Sequence, residues 1–145
     1  MPKLLAVALV ALVGCSTGPV GYLSALDEAR ARWADAGITH YQMVLHRGCF
    51  CGGPSSVRIE VNGTTITRTP LGEGGPVPAG WEDYYPDVAG LFDVVAREAV
   101  RPAAALQVEY DAARGFPTLI SVDPIGNAID DEYGYTVTDF EVLGQ

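Results

Sequence analysis

Cys49-Phe50-Cys51 puts two thiols two residues apart, and His46 stands three residues before the first of them. Thiolates and an imidazole suit Cu(I) or Zn(II), so this stretch is a candidate metal or thiol-redox site. The same two thiols are also the raw material of a disulfide. On an extended backbone their Cα atoms would lie roughly 6.5 Å apart, near the upper limit for a bridge, so a disulfide here is expected to be tight and easily reduced. Gly48 and Gly52-Gly53-Pro54 supply the local freedom that such a small ring needs. Alternation opposes the metal reading. It puts Cys49 and Cys51 on the side of Tyr41, Met43 and Leu45 and leaves His46 on the other, unless a bulge at Gly48 turns the histidine round. A structural disulfide, a metal or redox pair, and inert buried thiols therefore all stand as readings of this segment. A Cys-His nucleophilic enzyme fits less well, because nothing marks a third orienting group or an oxyanion site.

The third cysteine has a different context. Leu12-Val13-Gly14-Cys15 follows the short apolar run Leu4 to Val13, with Lys3 before it. Ten apolar residues are too few to span a bilayer, which takes roughly 20. The pattern is that of a lipoprotein signal, with cleavage before a cysteine that carries acyl chains, and an ordinary secretory signal is the rival reading. The expected division is a signal peptide over residues 1–14, a lipidated Cys15 with a tether over residues 15–24, and one domain over residues 25–145. Ser16 follows the cysteine where an Asp would direct inner-membrane retention. The expected location is the cell envelope, on the periplasmic side of the outer membrane in a Gram-negative source. Ser16 to Tyr22, extended, would hold the domain some 20 Å off the membrane, by a rise of about 3.3 Å per residue.

Two further stretches hold candidate binding groups. Asp123, Asp130, Asp131 and Glu132 cluster around Asn127, but without the spacing of an EF-hand loop, so a solvated turn is the plainer reading and a Ca²⁺ site the sharper one. Residues 70–87 form a long Gly- and Pro-rich loop with Trp81, Tyr84 and Tyr85. Long loops with exposed aromatics anchor partner interfaces, and the alternative is that these rings fold down onto the sheet.

Composition limits the partners. Lys3 is the only lysine, so beyond residue 14 the chain carries eight arginines against 18 acids, a formal charge of −10. Nucleic acid and a polybasic grip on anionic lipid are both excluded on that balance. No Gly-x-Ser-x-Gly, His-Glu-x-x-His or P-loop is present, and the chain is read as non-enzymatic, with no cofactor.

The elements that position these residues follow from periodicity. Ser24 as N-cap and Leu26, Ala29, Trp33 and Ala36 at helical spacing predict a helix over Ala25–Ala36, stopped by Gly37. From Tyr41 the period becomes two, as in a half-buried strand. Val57, Ile59 and Val61 alternate up to Asn62-Gly63, a strong hairpin signal, with Thr65 and Thr67 beyond. Asp87 caps a second helix with Val88, Leu91, Phe92, Val95 and Ala99 on its apolar stripe. A second hairpin joins Leu106–Tyr110 to Phe116–Val122 with Gly115 at the turn, and a last strand covers about Tyr135–Leu143. The order predicts an α+β fold: an antiparallel sheet of about five or six strands with two helices packed on one face.

The strand into Cys49-Phe50-Cys51, the hairpin Tyr110-Asp111-Ala112-Ala113-Arg114-Gly115-Phe116-Pro117-Thr118, and Asp123 followed by Asp130-Asp131-Glu132 together resemble a bacterial lipoprotein family, domain of unknown function 6174. The resemblance runs from about Trp33 to Val142 and implies a small envelope domain without an assigned activity. Two functions are thus expected. The first is a lipid-anchored module, held to the membrane through acylated Cys15, that binds an envelope partner through the sheet face or the Trp81–Tyr85 loop. The alternative is a periplasmic metal or thiol-redox carrier that uses Cys49 and Cys51, with His46.

Overall fold

The computed structural model describes residues 18–101 and 103–144. The expected signal peptide over residues 1–14, Cys15 and the first residues of the expected tether lie outside the described residues. Two helices and six strands follow one another as α1 (Pro19–Ala36), β1 (His40–Cys49), β2 (Ser56–Asn62), β3 (Thr65–Leu71), α2 (Val88–Val100), β4 (Ala105–Tyr110), β5 (Pro117–Asp123) and β6 (Tyr133–Val142). The strands form one antiparallel sheet in the order β3-β2-β1-β6-β5-β4, so the first and last strands meet at its centre. This is the α+β architecture that the sequence pattern predicts.

α1 starts six residues earlier than its periodicity suggests. Pro19 occupies the first turn, where its missing N–H costs nothing, and Gly37 ends the helix in a left-handed conformation. Ser24 is therefore interior to the helix and caps nothing. The helix takes up most of the stretch expected as a tether over residues 15–24, and Tyr22, within that stretch, donates its hydroxyl to the Leu106 carbonyl. Leu26 and Ala29 are the helix residues buried against the sheet. α2 runs as expected, with the Asp87 carboxylate accepting the Gly90 N–H at 2.9 Å. Its buried stripe includes one charged residue, Glu98, that the apolar pattern did not reveal.

Tyr41, Met43 and Leu45 on β1, Val57, Ile59 and Val61 on β2, Ile120 and Val122 on β5 and Tyr135 and Val137 on β6 form the buried face beneath the helices. Burying about ten such side chains supplies most of the driving force, at roughly 1.5–3 kcal/mol each. The other face is polar. His46 lies there between Ser56 Oγ at 2.8 Å and Thr138 Oγ1 at 2.9 Å, and the Gln42 amide donates to Glu141 at 2.7 Å.

The central pairing contains one irregularity. Gln42 pairs with Glu141 but Val44 pairs with Thr138, so an extra residue is accommodated in β6 opposite Met43. Asp139 sits there with φ +49°. Without the bulge, alternation from Tyr135 and Val137 would send Phe140 to the polar face. With it, Phe140 stacks on Phe116 at 4.3 Å and on Tyr41 at 5.4 Å, and Trp33 of α1 meets all three rings edge-on. This aromatic group seals the end of the core where α1 gives way to β1.

Candidate functional site

The opposite end of the sheet holds a cleft of about 550 Å³, lined from four segments: the Cys49–Cys51 loop, the 72–87 loop, α2 and the β5–β6 connection. Three of these are the stretches that the sequence marked separately.

Cys49 closes β1, pairing with Tyr133 across the strand, and the backbone turns directly after it. The turn brings the Cα atoms of Cys49 and Cys51 to 5.3 Å, inside the ordinary range for a bridge, and the two cysteines form a disulfide. Phe50, between them, is carried outward at the rim. Gly48 stays in register opposite Gly134, so no bulge rotates His46 toward the sulfurs. His46 instead faces a shallow depression on the polar side of the sheet, and the structure does not bring it together with the cysteine pair. Among the described residues no group of three or more His, Cys, Asp or Glu side chains is placed to hold a metal ion.

The aromatic loop divides. Tyr85 is fully buried and donates its hydroxyl to the Pro54 carbonyl at 2.9 Å, while its own carbonyl accepts from Arg68 at 2.7 Å. Gly53 passes so close that a Cβ there would sit 2.5 Å from the Tyr85 hydroxyl, and its φ of +90° is one that side chains avoid. Trp81 is half-buried against Gly52 and Gly53 and packs on Tyr84 at 5.4 Å. Only Tyr84, 49% exposed, reaches the cleft.

Arg47 ties the loop to the sheet. It shares the inward parity of Tyr41, Met43 and Leu45, and its guanidinium lies over the rings of Tyr84 at 4.7 Å, Tyr85 at 5.5 Å and Trp81 at 5.9 Å. It also donates to the Gly52 carbonyl at 3.4 Å. The sequence reading passed over Arg47, although a charge at a core-facing position of a strand was the available signal.

α2 adds a second guanidinium. Arg97 donates to the Glu98 carboxylate at 2.8 Å, and Tyr133 interacts with both. Burial pushes the Glu98 carboxyl up, but hydrogen bonds from Arg97 and Tyr133 and the charges of Arg97 and Arg101 outweigh it, leaving the group below its ordinary value. The Tyr133 phenol is pushed up to about 12, mainly by burial, and Tyr135 is raised for the same reason.

The β5–β6 connection contributes Asp130, Asp131 and Glu132, and Asp83 lies on the opposite wall. Asp130 holds φ +67°, a left-handed conformation that Asp tolerates better than most residues. Both carboxylate oxygens of Asp131 are shielded from solvent and have no hydrogen-bond partner among the described residues. Asp123 ends β5 and does not line the cleft. With both guanidiniums engaged by aromatic faces or by Glu98, the free charge of the cleft is negative.

A two-layer α+β domain with an acidic, aromatic cleft at one end of its sheet is the class of protein that this arrangement defines. The chain belongs to the family of unknown function DUF6174, whose profile matches residues 25–142. No curated protein and no solved structure matches it.

Proposed function

We propose that the protein is a lipid-anchored envelope module that binds a protein partner in this cleft without catalysing a reaction on it. The observation that carries the reading is the convergence of the Cys49–Cys51 loop, Tyr84 and Asp130–Glu132 on one cavity. A basic or NH-rich segment of the partner suits it. Asp83, Asp130, Asp131 and Glu132 supply negative charge, and Tyr84 supplies flat apolar contact. Cys15 remains the anchor in this reading, by the Leu12-Val13-Gly14-Cys15 pattern. No helix among the described residues is long and apolar enough to cross a membrane. The carrier alternative draws less support, because His46 is engaged by Ser56 and Thr138 on the far face and the two sulfurs are bonded to each other.

A photoreactive residue in place of Tyr84, introduced into the full chain in its own envelope, tests the reading. Crosslinking to a discrete partner that is lost with Asp131→Asn, and that a probe at Thr67 on β3 does not reproduce, supports it. Equal crosslinking from both positions, or none, rejects the cleft as the binding site.

A further inference from the structure

The exposed apolar side chains of this domain are not scattered. Val20 is 81% exposed, Phe50 83%, Val100 67%, Ile125 62% and Ile129 87%. They lie on four different segments: the start of α1, the β1–β2 loop, the end of α2 and the β5–β6 connection. Strand register shows that these segments share one end of the molecule. Cys49 pairs with Tyr133, Tyr133 with Val122, and Val122 with Leu106, whose carbonyl accepts the hydroxyl of Tyr22 in the first turns of α1. Arg101 and Ala103, just beyond α2, border the same first turns. At the other end, beside the Asn62-Gly63 turn, the exposed large apolar residue is Ile66, at only 36%.

That end is also where the chain departs for Cys15. Three residues, Ser16, Thr17 and Gly18, separate Cys15 from Pro19, the first residue of α1. Fully extended, four Cα steps reach roughly 14 Å, less than half the thickness of a bilayer. An acylated Cys15 therefore holds this end, and no other, against the membrane surface. At this end Asp83, Glu98, Asp130, Asp131 and Glu132 outnumber Arg47, Arg97 and Arg101, so attraction to anionic lipid is not the source of contact.

We infer that the domain docks end-on to the bilayer, with Phe50, Val20, Val100, Ile125 and Ile129 entering the boundary between headgroups and acyl chains. The lipid surface is the occupant of this apolar end. The inference rests on the lipid-anchor reading above, and deepens it from a tethered domain to one held at a fixed orientation.

The test uses the full chain processed in a bacterial envelope, purified in detergent and reconstituted into phosphatidylcholine vesicles whose acyl chains carry bromine near the headgroup. Phe50→Trp, Ile129→Trp and, as a far-end control, Ile66→Trp are compared with the unsubstituted chain, and intact mass reports acylation of Cys15. The expected result is an acylated protein in which bromolipid quenches the added fluorescence at 50 and 129 severalfold more than at 66, unchanged in 0.5 M salt. Acylated, vesicle-bound protein with equal quenching at the three positions, or none, overturns end-on docking and leaves the anchor standing. A mass without acyl chains overturns the anchor and the docking together.

Discussion

The guanidinium carbon of Arg47 lies 4.7 Å from the centre of the Tyr84 ring, with Tyr85 and Trp81 on its other sides. A strand residue that should face the core thus carries a charge, and the 72–87 loop supplies the aromatic faces that make its burial tolerable. Removing the ring by Tyr84→Ala is expected to cost about 1 kcal/mol, and Arg47→Ala about 2 kcal/mol because the bond to Gly52 is lost as well. A double-mutant cycle by urea unfolding should return a coupling of roughly 0.5–1.5 kcal/mol between them. A coupling of zero would show that the stacking contributes nothing. Arg47→Lys should restore less than half of the loss, since an ammonium lacks the flat face that stacks.

Asp139 with φ +49° is the hinge of the bulge that aims Phe140 into the aromatic group. Glycine adopts that conformation freely, so Asp139→Gly is expected to leave the protein as stable or up to about 1 kcal/mol more stable. Asp139→Val, β-branched, should destabilise by a similar or larger amount. Phe140→Ala should cost about 2–3 kcal/mol, less than a fully buried phenylalanine. Thermal unfolding of the three variants separates the backbone effect from the packing effect, and a stabilised Asp139→Val would contradict the assignment.

Glu98 is held below its ordinary value of 4.5 in the folded protein. A carboxyl with a depressed folded value contributes stability that is complete above its unfolded value and is lost as the pH falls through the folded one. Glu98→Gln is therefore expected to lower stability by about 1–2 kcal/mol at pH 7. The gap from the unsubstituted protein should narrow steadily below pH 4.5. Parallel stability curves between pH 7 and pH 3 would mean that the ion pair with Arg97 does not couple folding to protonation.

The phenols of Tyr110 and Tyr133 are each pushed up to about 12, in both cases chiefly by burial. A raised phenol leaves stability intact below its unfolded value near 10 and removes it as the pH climbs toward the folded value. Absorbance at 295 nm should therefore show these two rings still protonated at pH 11 in the native state. They should ionise together with unfolding when alkali finally opens the fold. A Tyr133→Phe variant that leaves the high-pH part of the curve unchanged would move the assignment to other tyrosines.

The Cys49–Cys51 bridge closes so short a loop that chain entropy gives it only about 1–2 kcal/mol. Reduction should lower the melting temperature by a few degrees without unfolding the domain. The intact protein should weigh two hydrogens less than the reduced one. A collapse of the fold on reduction would assign the bridge a larger structural role than its loop size allows.

Much of this protein was fixed by local pattern. Two-residue alternation located β1 and β2, the Asn62-Gly63 and Gly115 turns located two hairpins, and the apolar stripe with Asp87 located α2, because each signal is carried by neighbours in sequence. Alternation also placed His46 opposite Cys49 correctly. The start of α1 was missed because its first turns draw on a contact with Leu106, 84 residues away in the chain from Tyr22. The bulge at Asp139 and the destination of Phe140 depend on the partner strand, and no local period encodes an extra residue.

The cleft belongs to the second kind of knowledge. Its cysteines, aromatics and acids were legible as types, but their meeting is decided by the pairing of β1 with β6, which carries Cys49 to Tyr133 and with it the β5–β6 connection to the Cys49–Cys51 loop. The roles of Arg47, Arg97 and the buried Glu98 are likewise tertiary, because a charge becomes useful inside a fold only where distant residues supply the aromatic faces, hydrogen bonds and counter-charges that offset its desolvation.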